Sequence, residues 1–160
     1  MSEPPVSVGI VGLGGIASLH AEHLHDHRAN LVAGVDIDDH ARREFSEEWS
    51  VPTHDDLDAI VDDINAVLVT TPNRYHEAYA TAALDAGLDV LVEKPLAHSR
   101  DSAERIADAA ADAAGFCMVG FNYRFAAPVD VLTAYRDDGR FGEINHVEAH
   151  HVRRRRLPHR

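Results

Sequence analysis

A glycine-rich turn near the start of the sequence has the residue types that bind a pyrophosphate. Gly12, Gly14 and Ala17 follow the apolar run Val6–Val11 with the spacing G-x-G-x-x-A. Gly12 allows a tight turn, Gly14 lets the backbone approach a phosphate, and Ala17 is small enough for a helix to pack on the preceding strand. The N–H groups and the positive dipole end of that helix would face the phosphates. The spacing therefore predicts a dinucleotide site at this turn.

An acidic residue stands about 20 positions after the turn, where this motif expects one. Asp36 closes the apolar run Leu31–Val35, and a carboxylate there can accept hydrogen bonds from the ribose hydroxyls of adenosine. Its charge favours NAD over NADP as the cofactor. Two alternatives remain open: Asp36 caps a helix that begins near Asp38, or Arg42 or Arg43 meets a 2′-phosphate.

Two further polar segments follow apolar runs. One is Thr70–Asn73 with His76, and the other is Glu93-Lys94-Pro95. Lys94 is the only lysine in a chain with 14 arginines, so solubility does not explain its position. A lysine ammonium can shift its pKa and can donate a hydrogen bond to a substrate oxygen as charge develops there. The alternative is a surface ion pair between Glu93 and Lys94.

The elements that would carry these segments alternate between strand and helix. Five short, valine-rich runs are typical of strands buried on both faces of a parallel sheet: Val6–Val11, Leu31–Val35, Ala66–Val69, Val90–Val92 and Phe116–Gly120. Helical patterns lie between them, most clearly over Arg74–Ala86, which Gly87 would end, and Ser99–Ala114, which Ser99 would begin. The order predicts an α/β fold, a doubly wound parallel-sheet Rossmann domain with its ligand at the carboxyl ends of the strands.

The last part of the chain has a different pattern. A helix is predicted over Val129–Asp138, and a strand over Gly142–Val152 with no partner after it. An unpaired strand edge invites association with another chain. We therefore predict a cofactor-binding domain over residues 1–125, followed over residues 126–160 by a connecting helix and the first strand of a second α/β domain that is cut short.

Length, hydropathy and cysteine content narrow the class of protein. A chain of 160 residues can form one well-packed domain. It has no run of 18 apolar residues and no signal-like leader, so we expect a cytoplasmic protein without a membrane partner. Cys117 is the only cysteine. We expect it in the core, and it excludes an internal disulfide or a cysteine-based metal site.

The charge balance is strongly acidic. With 27 acidic and 15 basic residues, the net charge is −12 at pH 7, which resembles proteins of a high-salt cytoplasm and disfavours nucleic acid as a partner. Arg153–Arg156 form a basic run that could bind phosphate, although a solvated segment is the simpler interpretation. His20, His23 and His27 share a helical face but lack suitably spaced companions for a metal, so no metal site is predicted.

Several of these motifs together resemble the Gfo/Idh/MocA family, named for glucose-fructose oxidoreductase, inositol dehydrogenase and MocA. The resemblance covers nearly the whole chain. Its segments are the glycine turn, Thr71-Pro72-Asn73 with His76, Ala86-Gly87, Glu93-Lys94-Pro95, and Gly120-Phe121-Asn122-Tyr123-Arg124-Phe125. The glycine turn is shared by many Rossmann enzymes, whereas the two last segments are quite specific to this family.

The resemblance implies a role for each matching residue. Gly12, Gly14, Gly15 and Ile16 would line the pyrophosphate site and Asp36 would bind the adenosine ribose. Thr71, Pro72, Asn73 and His76 would border the nicotinamide half, Lys94 would bridge the nicotinamide ribose and the substrate hydroxyl with Glu93 beside it, and Asn122 and Arg124 would lie near the nicotinamide and the domain junction.

The reaction so implied is reversible hydride transfer between nicotinamide and a carbon of a sugar or polyol that bears a hydroxyl or carbonyl. Family members continue into a second α/β domain that supplies an aspartate and a histidine, spaced D-x-x-x-H, for proton transfer. We therefore expect this chain alone to bind NAD and to catalyse poorly. The alternative is a non-catalytic dinucleotide-binding or protein-interaction module.

Overall fold

The structure, a computed structural model, describes residues 5–25 and 29–150. Six strands in these residues form one parallel sheet in the order β3-β2-β1-β4-β5-β6. The strands are β1 (Val6–Val11), β2 (Ala29–Val35), β3 (Thr53–His54), β4 (Ala66–Val69), β5 (Asp89–Val92) and β6 (Cys117–Val119). The five valine-rich runs that were predicted as strands are all present. The sequence pattern missed only β3, whose two residues are too few to show an alternation.

The described residues contain five α-helices. They are α1 (Gly15–His25), α2 (Asp39–Trp49), α3 (His76–Asp85), α4 (Arg100–Asp112) and α5 (Ala127–Asp137). The predicted signals at the ends of α3 and α4 are confirmed: Gly87 adopts a positive φ of 79° after α3, and the Ser99 side chain accepts a hydrogen bond from Ser102 N–H at the start of α4. No helix among the described residues is long and apolar enough to span a bilayer.

Apolar side chains cover both faces of the sheet. Alternate residues of a strand point to opposite faces, so Ile10 packs with Ala17 of α1 and Phe45 of α2, whereas Val11 on the other face belongs with Leu84 of α3 and the α4 side chains. Burying each large side chain of this kind contributes about 1.5–3 kcal/mol. The predicted doubly wound arrangement is therefore confirmed.

The strand order places a crevice beside β1. The chain builds outward through β2 and β3, then crosses to β4 on the other side of β1 and continues to β5 and β6. In such open sheets the ligand site lies outside the carboxyl ends of the strands, where the order reverses. The turn after β1 and the turn after β4 meet at that position.

The chain divides into two compact units between Phe121 and Asn122. The predicted boundary after Phe125 stays a prediction. In the second unit, a short 3-10 turn over Asn122–Phe125 precedes α5.

The strand predicted over Gly142–Val152 is wrong for residues 142–150, which form neither helix nor strand. A strand is held by hydrogen bonds to a neighbouring strand, and none of the described residues pairs with this segment. Residues 151 and 152 lie outside the described part of the chain, as does the basic run Arg153–Arg156. The association predicted through this segment stays a prediction.

Candidate functional site

The predicted site segments of the first unit meet at one edge of the sheet. Thr70 N–H donates a hydrogen bond to Val11 O at 2.8 Å, and Glu93 N–H donates to Val69 O at 2.9 Å. These main-chain bonds step from β1 to β4 and from β4 to β5 just where the strands end. The glycine turn, the Thr70–Asn73 segment and Lys94 consequently lie side by side at the carboxyl edge.

Gly12 lets the loop after β4 pack against the glycine turn. Its φ is +93°, a value that favours glycine. A Cβ built at Gly12 would lie 2.6 Å from Thr71 N, closer than any real contact. The Thr70 hydroxyl also reaches this turn, within 2.6 Å of Gly12 O and 3.0 Å of Val11 O. Gly12 is thus required by the protein's own packing.

Gly14 and Gly15 face open space instead. A Cβ built at either residue would meet no protein atom within 4 Å. Both residues are exposed at the start of α1, and Ile16 beside them is 39% exposed. Ala17, in contrast, is fully buried under the helix. The protein leaves a cradle at a helix N-terminus that side chains at positions 14 and 15 would fill, and a pyrophosphate fits such a cradle.

Asp36 lies directly after β2 and is hydrogen-bonded through both carboxylate oxygens. Oδ2 accepts from Leu13 N–H at 2.8 Å, and Oδ1 accepts from Asp38 N–H at 2.9 Å. An ionised carboxylate has about four lone-pair positions, so each oxygen can still accept a ribose hydroxyl. Asp36 can therefore shape the glycine turn and bind the ribose at the same time.

The two alternatives for this region have different outcomes. The N-cap of α2 is Asp38, whose side chain accepts from the N–H groups of His40 and Ala41, so the suggestion that Asp36 caps this helix is wrong. Arg42 donates to Asp36 O at 2.8 Å and pairs with Asp39 at 3.3 Å. Arg43 also pairs with Asp39. Both guanidinium groups are thus engaged on the first turns of α2.

A cavity of about 440 Å³ opens between the glycine turn, the end of β2 and the loop after β4. This volume is typical of small-molecule sites. Its lining includes Gly14, Asp36 and Pro72 together with residues that the motifs did not single out, namely Ile37, Asp38, Arg74, Tyr75 and Tyr79. The Arg74 guanidinium stacks 4.6 Å from the Tyr75 ring centroid. Burial, and then the negative charges of Asp56 and Asp36, raise the pKa of Tyr79, so its hydroxyl stays protonated.

Glu93 turns away from the Lys94 ammonium. Glu93 Oε1 lies 2.9 Å from His20 Nε2, and Oε2 accepts from the main-chain N–H of Lys94 at 3.0 Å. The expected alternative, a Glu93–Lys94 ion pair, is therefore wrong. Lys94 is exposed, and its ammonium has no ion-pair or hydrogen-bond partner in the part of the chain that the structure describes. The Lys94–Pro95 peptide bond is cis.

His76 is buried rather than open to a ligand. Only 1% of the residue is exposed. Its Nε2 lies 2.8 Å from Thr71 O, and its Nδ1 lies 3.0 Å from Pro95 O and 3.2 Å from Leu96 O. Every partner is a main-chain carbonyl, so the ring joins two loops of the site and cannot itself reach the space outside them.

The remaining predicted site residues occupy varied positions. Thr71 is partly buried, and its Oγ1 has no hydrogen-bond partner; Pro72 lines the cavity. Asn73 is exposed at the start of a 3-10 turn. Asn122 and Arg124 are exposed in the second unit, and their predicted place near the nicotinamide stays a prediction.

The motif-based prediction missed two supporting residues. His20 carried a usable signal, because it shares an α1 face with the apolar residues Ile16 and Leu24, and a partly buried polar side chain needs a partner. Thr70 stands beside the predicted segment. Its role depends on how closely β4 approaches the glycine turn, which no local pattern reveals.

Cysteine and metal-ligating side chains have no evident part in the site. Cys117 is partly buried against the core, and burial raises the pKa of its thiol. Among residues 5–25 and 29–150, no three histidine, cysteine or acidic side chains are placed to hold a metal. His27 lies outside these residues.

Fold and site together define a dinucleotide-binding Rossmann protein. A family model described as an oxidoreductase family with an NAD-binding Rossmann fold, GFO_IDH_MocA, matches residues 6–121. The chain belongs to this Gfo/Idh/MocA family and carries its NAD-binding domain, as the motifs predicted.

Known relatives and structures agree with this assignment. The chain is 31% identical to glucose-6-phosphate 3-dehydrogenase of Bacillus subtilis over 144 residues, 89% of this chain and 41% of that protein. It is 40% identical to inositol 2-dehydrogenase 4 of Saccharopolyspora erythraea over 133 residues, 78% of this chain and 39% of that protein.

Among solved structures, the WlbA dehydrogenase of Chromobacterium violaceum in complex with NADH and UDP-GlcNAcA superposes with a TM-score of 0.83 at 28% identity, covering 89% of this chain and 42% of that one. The chain thus spans about two fifths of the length of the relatives that it matches.

Proposed function

We propose that this chain is the cofactor-binding part of an NAD-dependent dehydrogenase that acts on a hydroxyl or carbonyl carbon of a sugar or polyol. The observation that carries the proposal is the exposed Lys94 ammonium, which has no partner among the described residues and stands at the same sheet edge as the cradle at Gly14 and Gly15. A free cation beside a dinucleotide cradle can act on a substrate oxygen.

The residues of the first unit fit the cofactor in chemical terms. Gly12, Gly14, Gly15 and Ile16 would hold the pyrophosphate at the start of α1, where free N–H groups favour an anion. Asp36 would accept hydrogen bonds from the adenosine ribose, and Thr71, Pro72 and Asn73 would border the nicotinamide half. A place for Asn122 and Arg124 near the nicotinamide rests on the family resemblance alone.

Lys94 would supply the polar group nearest the reacting carbon. When bound, nicotinamide supplies the ring carbon that accepts or gives the hydride. The Lys94 ammonium would donate a hydrogen bond to the substrate oxygen, which stabilises negative charge there as the carbon–oxygen bond changes order. By resemblance to the family, proton transfer belongs to an aspartate and a histidine of a second domain.

The cofactor preference follows from charge at the end of β2. A 2′-phosphate would meet the Asp36 carboxylate and, close to it, the Asp38 carboxylate, so like charges oppose NADP. The two arginines that could offset this repulsion, Arg42 and Arg43, are already engaged by Asp39. This arrangement favours NAD.

The relatives support the substrate class. Glucose-6-phosphate 3-dehydrogenase, inositol 2-dehydrogenase and a dehydrogenase crystallised with UDP-GlcNAcA all take hydroxylated rings, as their names and ligand indicate. We extend this class to the present chain. The net charge of −12 disfavours a nucleic-acid partner, and a single cysteine suits a cytoplasmic protein.

A titration tests the proposal directly. The 160-residue chain is titrated with NADH and with NADPH, and binding is followed by the fluorescence of the reduced nicotinamide. We expect saturable NADH binding, at least tenfold tighter than NADPH binding. If NADH binding is not saturable, the proposal is wrong. In a protein that also contains the remaining domain, Lys94→Ala should lower kcat for a polyol more than it raises the Kd of NADH, and the reverse result would remove Lys94 from the reaction.

A further inference from the structure

Lys94 needs a fixed main chain if its ammonium is to meet one particular oxygen. A lysine side chain has four rotatable carbon–carbon bonds and loses rotamer entropy when it is held in one conformation. Lys94 also lies in a loop, between the end of β5 at Val92 and the start of α4 at Arg100. The ladder of the sheet ends before it, so other contacts must hold this segment.

One contact comes from α1, the helix that begins at the phosphate cradle. His20 on α1 and Glu93 face each other at 2.9 Å, with 24% and 14% of their side chains exposed. The other Glu93 oxygen accepts the Lys94 N–H. The Glu93 carboxylate therefore links His20 to the Lys94 main chain. Gly120, which directly follows β6, lies next to this carboxylate, since a Cβ built there would be 3.4 Å from Glu93 Oε1.

A second contact comes from α3. The His76 imidazole lies between Thr71 O and the two carbonyls of Pro95 and Leu96. Carbonyls only accept, so the ring is the donor in each bond that it makes. A neutral ring donates at one nitrogen and a protonated ring at both. In either form the buried ring contacts both the loop after β4 and the residues that directly follow Lys94, and it donates a hydrogen bond to at least one of them.

We propose that His20 and His76 are positioning residues for Lys94, acting on the main chain from its two sides. His20 acts through Glu93, and His76 acts through the carbonyls of Pro95 and Leu96. Neither ring lines the cavity beside the glycine turn. Because α1 carries the phosphate cradle, the His20–Glu93 link also ties cofactor binding to the placement of Lys94. This inference rests on the proposed function of Lys94.

The single lysine of the chain makes a specific experiment feasible. Selective labelling with 15N-lysine gives one amide signal, that of Lys94. Its order parameter and hydrogen-exchange rate report the main chain of Lys94 in the free protein. Its response to saturating NAD reports whether the cofactor reaches this residue. Thermal unfolding of each variant is measured in parallel, because a purely structural role would lower the unfolding temperature without moving the Lys94 signal.

The variants are chosen so that each has a matched partner. In the free wild-type chain we expect a rigid Lys94 amide, with an order parameter of about 0.85. His20→Ala should lower it below about 0.6 and speed amide exchange at least tenfold, while His20→Gln, which can still donate to Glu93, should restore most of the order. His76→Gln should act in the same direction as His20→Ala. His40→Ala, which removes an exposed histidine beside Glu44 on α2, should change nothing.

Two different failures can be told apart. If Lys94 is equally ordered in wild type, His20→Ala and His76→Gln, the positioning role is refuted, whatever the cofactor does. If the His variants lower the order parameter of the Lys94 amide but saturating NAD leaves the wild-type signal unmoved, the positioning role of the two histidines is supported. The proposed function of Lys94 is then wrong. If His76→Gln does not fold, the comparison of wild type, His20→Ala and His20→Gln still shows whether Lys94 is positioned through Glu93.

Discussion

The Asp36 carboxylate accepts a hydrogen bond from Leu13 N–H at 2.8 Å, which joins residues 23 positions apart in the sequence. Leu13 lies inside the glycine turn, so the end of β2 holds the turn where the pyrophosphate is proposed to bind. The same carboxylate faces the cavity where the adenosine ribose would lie. One side chain is thus placed to act on the fold of the turn and on the choice of cofactor.

Replacing Asp36 should therefore weaken cofactor binding and reduce the preference for NADH over NADPH. In Asp36→Asn the amide oxygen can accept from only one of the two N–H groups with full geometry, and the negative charge is lost. Hydrogen bonds to charged groups contribute about 1.5–3 kcal/mol, so we expect NADH affinity to fall about 10- to 100-fold and NADPH affinity to fall less. Fluorescence titration with both cofactors measures the ratio.

Asp38→Asn is the matched control for this prediction. This substitution makes the same change of charge two residues away, at a residue that lines the same cavity. It should keep the helix cap, because asparagine caps a helix as well as aspartate does. We expect a smaller change in the NADH to NADPH ratio than in Asp36→Asn, because the Asp38 side chain is already engaged as the cap of α2. Equal changes in both variants would show that the general negative potential, and not Asp36 itself, sets the preference.

The glycines of the turn should separate into two classes. Gly14→Ala adds a Cβ that meets no protein atom, so stability should change by less than about 0.5 kcal/mol, while NADH affinity should fall at least tenfold. Gly12→Ala puts a Cβ 2.6 Å from Thr71 N at a φ of +93°, which should cost about 1–3 kcal/mol or more. Urea unfolding and NADH titration measure the two effects. A Gly14→Ala variant that binds NADH as wild type does would place the pyrophosphate elsewhere.

The sheet was predictable because its strands are buried on both faces. Continuous valine-rich runs such as Val6–Val11 and Ala66–Val69 need no partner to be recognised, and both were predicted with their exact ends. The strand predicted over Gly142–Val152 lacked that double burial. It rested on a loose alternation, and an isolated strand gains nothing without a neighbour to pair with.

The site was predictable only where a residue's type is dictated locally. Gly12, Gly14 and Asp36 follow from the spacing of a turn and its flanking strands. The surroundings of Lys94 depend on which side chains of α1 and α3 reach across the edge, and these contacts span 73 positions for His20 and Glu93. The family resemblance implied that His76 borders the nicotinamide half, which stays a prediction; the sequence did not reveal that its ring is buried between two loops. Long-range contacts of this kind are set by packing, so spacing alone does not reveal them.

The ion pair between α3 and α4 should make stability depend on acid pH. Arg105 Nη2 donates to Glu77 Oε2 at 2.9 Å, and Arg105 Nε contacts the other oxygen. The hydrogen bonds from Arg105 and then Ser102 lower the pKa of Glu77 to about 2, from 4.5. A lowered pKa in the folded state means that the stabilisation is complete above about pH 4.5 and is lost as the pH falls toward 2.

Glu77→Gln should consequently lower the urea midpoint at pH 7, and the difference from wild type should shrink between pH 4.5 and pH 2. Glu104→Gln is the control, because Glu104 pairs with Arg100 on the surface, where the two side chains are 57% and 88% exposed. Exposed pairs contribute little, so this variant should match wild type. If the lower urea midpoint of Glu77→Gln persists unchanged at pH 2, the substitution acts through the shape of the side chain and not through the loss of its charge.

Finally, the acidic surface should make the chain more stable in salt. A net charge of −12 repels itself in the compact state, and the screening length falls from about 10 Å at 0.1 M salt to about 3 Å at 1 M. We expect the thermal midpoint to rise steadily between 0.1 and about 1 M KCl. A triple variant, Asp55→Asn, Asp62→Asn and Asp63→Asn, removes three exposed acids and brings the net charge to −9. At low salt this variant should have a higher thermal midpoint than wild type, and its midpoint should rise less with added KCl. If both proteins respond equally, salt acts on apolar burial, and charge repulsion is not the cause.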